Sequence, residues 1–162
     1  MSRIAAAFAC LLLCACGFQL RGEAPTGLKT LYVSAAVPSQ VAQEVQRRLS
    51  GGPTKIAATA REGEAHLRIL SEQTEKLIQT LTGAGVVYDY QLRLRVGFQV
   101  TDAAEKVQIE PAQIEVRRVI TYSTSAPLAK EAEERLLFDD MRTEAAAQIL
   151  RRIAVVRGQA RQ

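Results

Sequence analysis

The stretch from Val86 to Val100, VVYDYQLRLRVGFQV, carries the clearest pattern in this 162-residue chain. Its odd positions are mostly polar and include Arg93 and Arg95. Its even positions are all apolar: Val86, Tyr88, Tyr90, Leu92, Leu94, Val96, Phe98 and Val100. Because successive side chains of a strand point to opposite faces, this alternation predicts a long β-strand with one buried and one exposed face.

Two further long strands are predicted beside this one. The strand that follows runs from Val107 to Tyr122 and places Arg117 on its polar face. The strand that precedes it has an apolar parity at Leu67, Ile69, Leu77 and Leu81. Gln73 and Glu75 interrupt that parity, so we expect either a β-bulge or a hairpin tip that projects beyond the core. The Thr82–Gly85 segment supplies the turn, and matching the apolar faces of its two strands predicts a two-residue turn.

Two amphipathic helices flank the three strands. The first follows a short strand at Leu28–Ala35, opens at Val37–Ser39 and ends at Ser50–Pro53. The second is expected from Ser125–Pro127 to Gly158. Its apolar stripe contains Leu137, Met141, Ala145, Ile149 and Ile153, extended backward by Ala129 and Ala132. Apolar residues at four-residue spacing form one face of a helix, and Pro at the start and Gly at the end are typical boundaries.

This order of elements predicts an α+β two-layer sandwich, with two helices packed on one face of a four-stranded sheet. The first strand is free to pair in parallel with a later one, so the sheet should be mixed. Lys55–Ala60 is compatible with a short strand or a loop. With 48% hydrophobic and 23% charged residues, the chain should fold as one domain, which we place at residues 28–158, followed by a polar tail at 159–162.

The N-terminus has the features of a lipoprotein signal. Arg3 precedes an apolar run that is too short to span a bilayer, and Leu13-Cys14-Ala15-Cys16 resembles the lipobox of bacterial lipoproteins. We therefore predict a signal peptide at residues 1–15 and a lipidated tether at 16–27, with a diacylglycerol and an N-acyl chain on Cys16 as membrane anchor. Gly17, rather than an aspartate, favours the outer membrane. The alternatives are an ordinary signal peptide and an apolar N-terminal run that is not a signal.

The remaining residues do not suggest catalysis. Cys10 and Cys14 would leave with the signal and Cys16 would carry lipid, so the mature chain has no free thiol. His66 is the single histidine, which excludes a multi-histidine metal site. Asp139–Asp140 is a weak candidate for a carboxylate pair, because adjacent helix positions project about 100° apart. The arginines could suggest nucleic acid, but the chain leaves the cytoplasm. We therefore expect a binding or structural lipoprotein without metal, cofactor or enzymatic activity.

The start of the mature chain, Cys16-Gly17-Phe18-Gln19-Leu20-Arg21-Gly22, resembles the LptE (RlpB) family of lipopolysaccharide-assembly lipoproteins. The resemblance continues at Tyr88–Gln91, at Ala129–Glu131 and along Met141–Arg152. It implies two helices on a four-stranded sheet and a protein without catalysis. It also implies a lipid-anchored protein on the periplasmic side of the outer membrane. Such a protein plugs and helps assemble the LptD β-barrel in a 1:1 complex, and binds lipopolysaccharide on its way to the outer leaflet.

Family members carry basic residues near the hairpin tip and at the start of the last helix. Lys130 matches the second position, whereas the tip, Thr82–Gly85, has no basic residue. Arg93, Arg95 and Arg117 should share the solvent face of neighbouring strands and could bind lipid A phosphates.

Two alternatives stay open. The basic residues could instead form ion pairs, such as Arg95 with Glu115 and Lys130 with Glu134. The protein could also be an auxiliary lipoprotein of another envelope lipid-transport system.

Overall fold

The computed structural model describes residues 26–122 and 126–159. In chain order, the elements are β1 (Thr30–Ala35), α1 (Gln40–Ser50), β2 (Lys55–Ile56), β3 (Ala65–Leu81), β4 (Val87–Asp102), β5 (Val107–Thr121) and α2 (Pro127–Gln159). This confirms the α+β class with two helices. The expected signal peptide, Cys16 and most of the tether, and residues 160–162 of the expected tail, lie outside the described residues.

The strands form one mixed sheet in the order β2-β1-β3-β4-β5. β1 is parallel to β2 and β3, as expected for a mixed sheet, while β3, β4 and β5 are antiparallel neighbours. The prediction of four strands was wrong, because the segment left open as strand or loop adds β2 beside β1. Lys55 N donates to Lys29 O at 2.8 Å and fixes this pairing. A strand of two residues is too short to show an alternation in sequence.

Buried residues of both helices and of one sheet face form a single core. Phe98 is 0% exposed on β4, and Met141 and Ile149 meet this face from α2. α1 begins at Gln40, where the side chain of Ser39 accepts a hydrogen bond from Ala42 N at 3.0 Å. The backward extension of the α2 stripe was wrong, since Ala129 and Ala132 are exposed. The fully buried residues of α2 begin at Met141, so its first turns lie beyond the tightly packed part of the core.

A β-bulge at Leu70 divides β3 into two parts. Ile69 lies opposite Phe98, whereas Ser71 lies opposite Gly97, so the alternation of β3 shifts by one residue. A Cβ on Gly97 would lie 2.6 Å from Ser71 Oγ, so a larger residue there requires the serine side chain to rotate. Beyond the bulge, Leu77 and Leu81 no longer share the parity of Leu67 and Ile69; Leu77 lies opposite Gln91 and is 39% exposed. Their predicted common face was therefore wrong, and the bulge alternative is confirmed.

The β3–β4 connection differs from the predicted two-residue turn. Leu81 pairs with Val87, so all of residues 82–86 belong to the connection. Thr82 N donates to Val86 O at 2.7 Å, and Gly85 has a φ of 77°, a conformation that favours glycine. Further register shifts on either side of Thr80 change the parity on which the shorter turn was predicted.

Candidate functional site

The three candidate arginines lie together on the sheet face that points away from the helices. Arg93 on β4 lies directly between Glu75 on β3 and Arg117 on β5. Arg95 lies between Gln73 and Glu115 in the same way. The shared face that the alternation predicted is therefore confirmed, although its role in binding is a separate question.

Two carboxylates neutralise most of the charge on this arginine face. Arg93 lies 3.5 Å from Glu75 and 3.8 Å from Glu115, measured between side-chain nitrogen and oxygen. Arg95 forms an ion pair with Glu75, and Arg117 with Glu115. The expected Arg95–Glu115 pair is thus replaced by a pair with the carboxylate on β3. Three guanidinium groups sharing two carboxylates leave a net charge of one, which favours a cross-strand ion-pair network over an open anion site.

Lys130 lies in the first turns of α2, at the edge of a pocket of about 180 Å³. Its ammonium group bonds to Glu133 at 2.9 Å rather than to Glu134. Glu134 is instead paired with Lys76 of β3, at 2.5 Å. The pocket therefore contains a second lysine that the sequence analysis missed.

Lys76 reaches this pocket because of the bulge at Leu70. The shift in parity turns it toward α2, where its ammonium group lies 4.5 Å from the centre of the Tyr90 ring. Tyr122 packs edge-on against Tyr90, with 5.8 Å between ring centres. Lys76 lies six residues before the turn begins at Thr82, and only the location of the bulge would have indicated the direction of its side chain. We call the pocket lined by Lys76, Tyr90, Tyr122, Lys130 and Glu134 the lysine pocket.

Large apolar side chains are exposed around the lysine pocket, where the β3–β4 hairpin and the start of α2 extend past the core. Leu128 is 78% exposed, the highest value among them. Those that are more than half exposed on these segments are Ile78, Leu81, Val86, Tyr88, Leu128 and Leu136. Apolar residues concentrated at one end of a domain mark an interaction surface more often than scattered single ones do.

His66 does not form a catalytic arrangement. Its Nε2 lies 2.7 Å from Ser34 Oγ, and its ring packs 4.8 Å from that of Tyr32. No carboxylate within 26–122 or 126–159 hydrogen-bonds to the ring, so a Ser–His pair lacks its orienting acid. Burial, and then the nearby charge of Arg68, lower the pKa of His66, while Glu105 opposes them.

The adjacent aspartates of α2 have structural partners. Asp139 accepts a hydrogen bond from Arg142 at 2.7 Å. Asp140 pairs at 2.8 Å with Arg118, which also bonds to Glu144 at 2.6 Å. These two carboxylates raise the pKa of Arg118. The ion pairs of Arg118 therefore join β5 to α2. The two aspartates bind different arginines and do not face a shared position where a substrate could lie.

Metal-binding clusters and membrane-spanning helices are absent from the described part of the chain. No group of three or more histidine, cysteine, aspartate or glutamate residues there is arranged to hold a metal ion. None of its helices combines the length and the apolar character needed to cross a membrane.

Known proteins resemble the chain in both sequence and structure. The sequence model of the LptE family, described as "Lipopolysaccharide-assembly", matches residues 28–153. The chain belongs to the LptE family. An LPS-assembly lipoprotein LptE from Pectobacterium atrosepticum is 30% identical over 154 residues, covering 93% of this chain and 83% of that protein. A Yersinia pestis protein of the same name is 32% identical over 152 residues, covering 91% and 72%.

Solved structures of lipoproteins share the LptE-family fold seen here. The solution structure of an uncharacterized lipoprotein B from Nitrosomonas europaea has a TM-score of 0.73 and 29% identity, covering 85% of this chain and 90% of its own. The crystal structure of rare lipoprotein B from Shewanella oneidensis has a TM-score of 0.72 and 28% identity, covering 82% and 99%. The resemblance inferred from the sequence motifs is thereby confirmed, and the family description names an assembly process rather than a reaction.

Proposed function

We propose that this protein is an outer-membrane lipoprotein, anchored through Cys16 on the periplasmic side, that occupies the lumen of the LptD β-barrel in a 1:1 complex. In this role it helps the barrel assemble and contacts lipopolysaccharide during its insertion into the outer leaflet. The observation that carries the proposal is the end of the domain where exposed apolar side chains surround the lysine pocket. Membership of the LptE family supports it and favours it over an auxiliary role in another lipid-transport system.

The lysine pocket suits a phosphate group better than the arginine face does. Lys76 and Lys130 line one cavity, and each is paired with a glutamate on the partly exposed surface of α2. Exposed ion pairs contribute only about 0–1 kcal/mol, so a doubly charged phosphate can displace a carboxylate from an ammonium group. On the arginine face, by contrast, a phosphate would have to compete with two carboxylates that are each paired with two guanidinium groups.

The exposed apolar residues support a barrel contact. Leu128 and Leu136 are exposed on the N-terminal part of α2, and Ile78 is exposed on the β3–β4 hairpin. A solvent-facing position for several such side chains costs the isolated protein about 25 cal/mol per Å² of apolar surface, which burial against a partner would recover.

The barrel contact is tested by purifying a tagged copy in mild detergent. We expect one large β-barrel protein in equimolar amount. Leu136→Glu should fold, because the side chain is 69% exposed, but should lose the barrel. Val37→Glu, at a 41% exposed site away from the hairpin, is the matched control and should keep it. Recovery of the wild-type protein without any barrel partner would contradict the proposal and favour the auxiliary lipoprotein.

The ligand contact is tested by lipopolysaccharide binding to the purified mature protein. Lys76→Gln and Lys130→Gln should each weaken the affinity by about fivefold, and the difference should shrink as salt rises. Lys106→Gln removes the same charge from the β4–β5 turn and should have no effect. Arg93→Gln should have less effect than either lysine substitution. Unchanged affinity in both lysine variants at low salt would exclude the lysine pocket and leave only the barrel role.

The anchor is tested by labelling with fatty acid. Cys16→Ala should leave an unlipidated precursor, because Cys14 follows Leu13 rather than a small residue and Cys10 lies within the apolar run of the signal. Incorporation of label into this variant would show that the anchor lies elsewhere.

A further inference from the structure

The chain enters the fold at the end of the domain opposite the lysine pocket. Thr26 Oγ1 and Thr54 Oγ1 are 2.7 Å apart, which fixes the first described residues beside the start of β2. Glu64, just before β3, accepts a hydrogen bond from Lys29 N at 3.0 Å and lies 3.7 Å from Arg157 in the last turn of α2. We call this the entry end; it contains the starts of β1, β3 and β5 and the last turns of α2.

An open apolar groove of about 530 Å³ lies at the entry end, between α2 and β5. Its apolar lining comes from Ile109, Val155 and Val156, and Val155 is 60% exposed. Arg151 and Arg152 also line it. In an isolated domain this surface has no covering element among the described residues, so it is available to a partner.

The two arginines of the groove are not neutralised by a carboxylate. Arg157, one or two turns farther along α2, is paired with Glu64, whereas Arg151 and Arg152 make no ion pair within the described residues. The guanidinium group of Arg152 instead lies 5.8 Å from the centre of the Phe98 ring. An apolar groove with unpaired cations at its rim is complementary to a lipid that has acyl chains and an anionic headgroup.

The position of the anchor limits which lipid can reach this groove. The segment from Cys16 to Thr26 can span at most roughly 36 Å, the limit set by its number of residues. The entry end is therefore held close to the leaflet that takes the acyl chains of Cys16. The lysine pocket, at the other end of the long strands, points away from it.

We propose that the entry end docks on the surface of that leaflet. Arg151 and Arg152 would bind the phosphates of anionic phospholipids, and the apolar groove at Val155 would contact the adjoining acyl chains. Docking would hold the sheet in a fixed orientation on the membrane. The inference rests on the proposed lipid anchor at Cys16, but it uses no residue of the lysine pocket and does not depend on lipopolysaccharide binding or on the barrel.

The mature lipidated protein, reconstituted into vesicles, provides the test. In Val155→Cys, the new thiol is the single labelling site, because Cys16 carries lipid and no other cysteine is left after processing. An environment-sensitive fluorophore at this position should be quenched by brominated lipids in phosphatidylcholine vesicles that contain phosphatidylglycerol. Pure phosphatidylcholine vesicles should give much less quenching. A label at Gly83→Cys, in the hairpin turn where an added Cβ meets no atom within 4 Å, should stay unquenched in both.

Charge variants then separate docking from nonspecific contact. Arg151→Gln should lower the ratio of docked to undocked protein in anionic vesicles by about fivefold. Arg135→Gln removes one charge from the exposed surface of the same helix near its other end and should leave the ratio unchanged. Because a fluorophore at Val155 could disturb docking, hydrogen exchange of the unlabelled protein should also show protection of residues 148–157 in anionic vesicles. Absence of that protection would overturn the proposal. So would quenching that is equal in neutral and anionic vesicles, or quenching in anionic vesicles that Arg151→Gln leaves unchanged.

Discussion

The two ends of the long β3–β4 hairpin differ in how deeply the same two strands are buried. Near the entry end, one face of β4 is covered by the helices, and Phe98 on that face is 0% exposed. Near the turn, the same face of the same strand has Tyr88, which is 52% exposed. The alternation in sequence is equally clear at both positions. The comparison shows that an apolar alternation defines a face of a strand, whereas burial of that face depends on how far the helices extend over it.

The largest expected difference between the ends is in stability. Phe98→Ala should lower the free energy of unfolding by about 3–5 kcal/mol, because it removes a large side chain from a closely packed core. Tyr88→Ala, on the same face of β4, should cost less than about 1 kcal/mol in the isolated protein. Denaturant titration of both variants measures the difference. Equal losses would show that the hairpin end is packed as tightly as the core.

A second difference depends on the bulge that separates the two ends. Gly97→Ala should destabilise the protein by about 1 kcal/mol or less, because its Cβ would lie 2.6 Å from Ser71 Oγ and the serine side chain must rotate to relieve this contact. In the double variant Gly97→Ala with Ser71→Ala, the hydroxyl is removed and much of this loss should be recovered. A double-mutant cycle by denaturant unfolding measures the coupling between the two positions. Additive losses would mean that the contact between them does not determine the bulge.

The bulge also explains what could be predicted from the sequence. The alternation of β4 and the apolar stripe of α2 were enough for the α+β class and for the arginine face, because each pattern extends over many residues. The two-residue strand β2 is too short to have a pattern. Gln73 and Glu75 signalled an irregularity in β3, but not that it lies at Leu70. Without that location the direction of Lys76 could not be predicted, and the lysine pocket was missed.

The ion pairs of the candidate site were also beyond the sequence patterns. Arg93, Arg95 and Arg117 were placed correctly on one face by parity. Whether a carboxylate satisfies each of them depends on side chains from three strands at once. Glu75 was expected to interrupt an apolar row, and the bulge turns it instead to the arginine face, where it pairs with Arg93 and Arg95. The same shift thus adds a cation to one surface and removes free charge from the other.

The smallest expected effect concerns His66, which lies on the open sheet face near the entry end. Burial is the main cause that lowers its pKa in the folded protein, and the charge of Arg68 adds to it; the ordinary value is 6.5. Above that value the ring is neutral in both states, so the contribution of the neutral ring to stability is fully present. As the pH falls below it, the unfolded chain binds a proton more readily than the folded protein does. This stability is therefore lost progressively, until the pH has fallen below the lower pKa of the folded protein.

Parallel unfolding measurements on the parent and on His66→Gln, from about pH 7.5 to about pH 5.5, isolate this contribution. The carboxylates titrate in both proteins, so their effect cancels in the difference between the two curves. The parent should lose stability relative to the variant as the pH falls, and the two curves should run parallel above neutrality. Gln keeps a polar group that can bond to Ser34 Oγ, which preserves the local hydrogen bond. A difference that is constant over the whole range, or that changes in favour of the parent at lower pH, would show that the ring is not held in its neutral form by the fold.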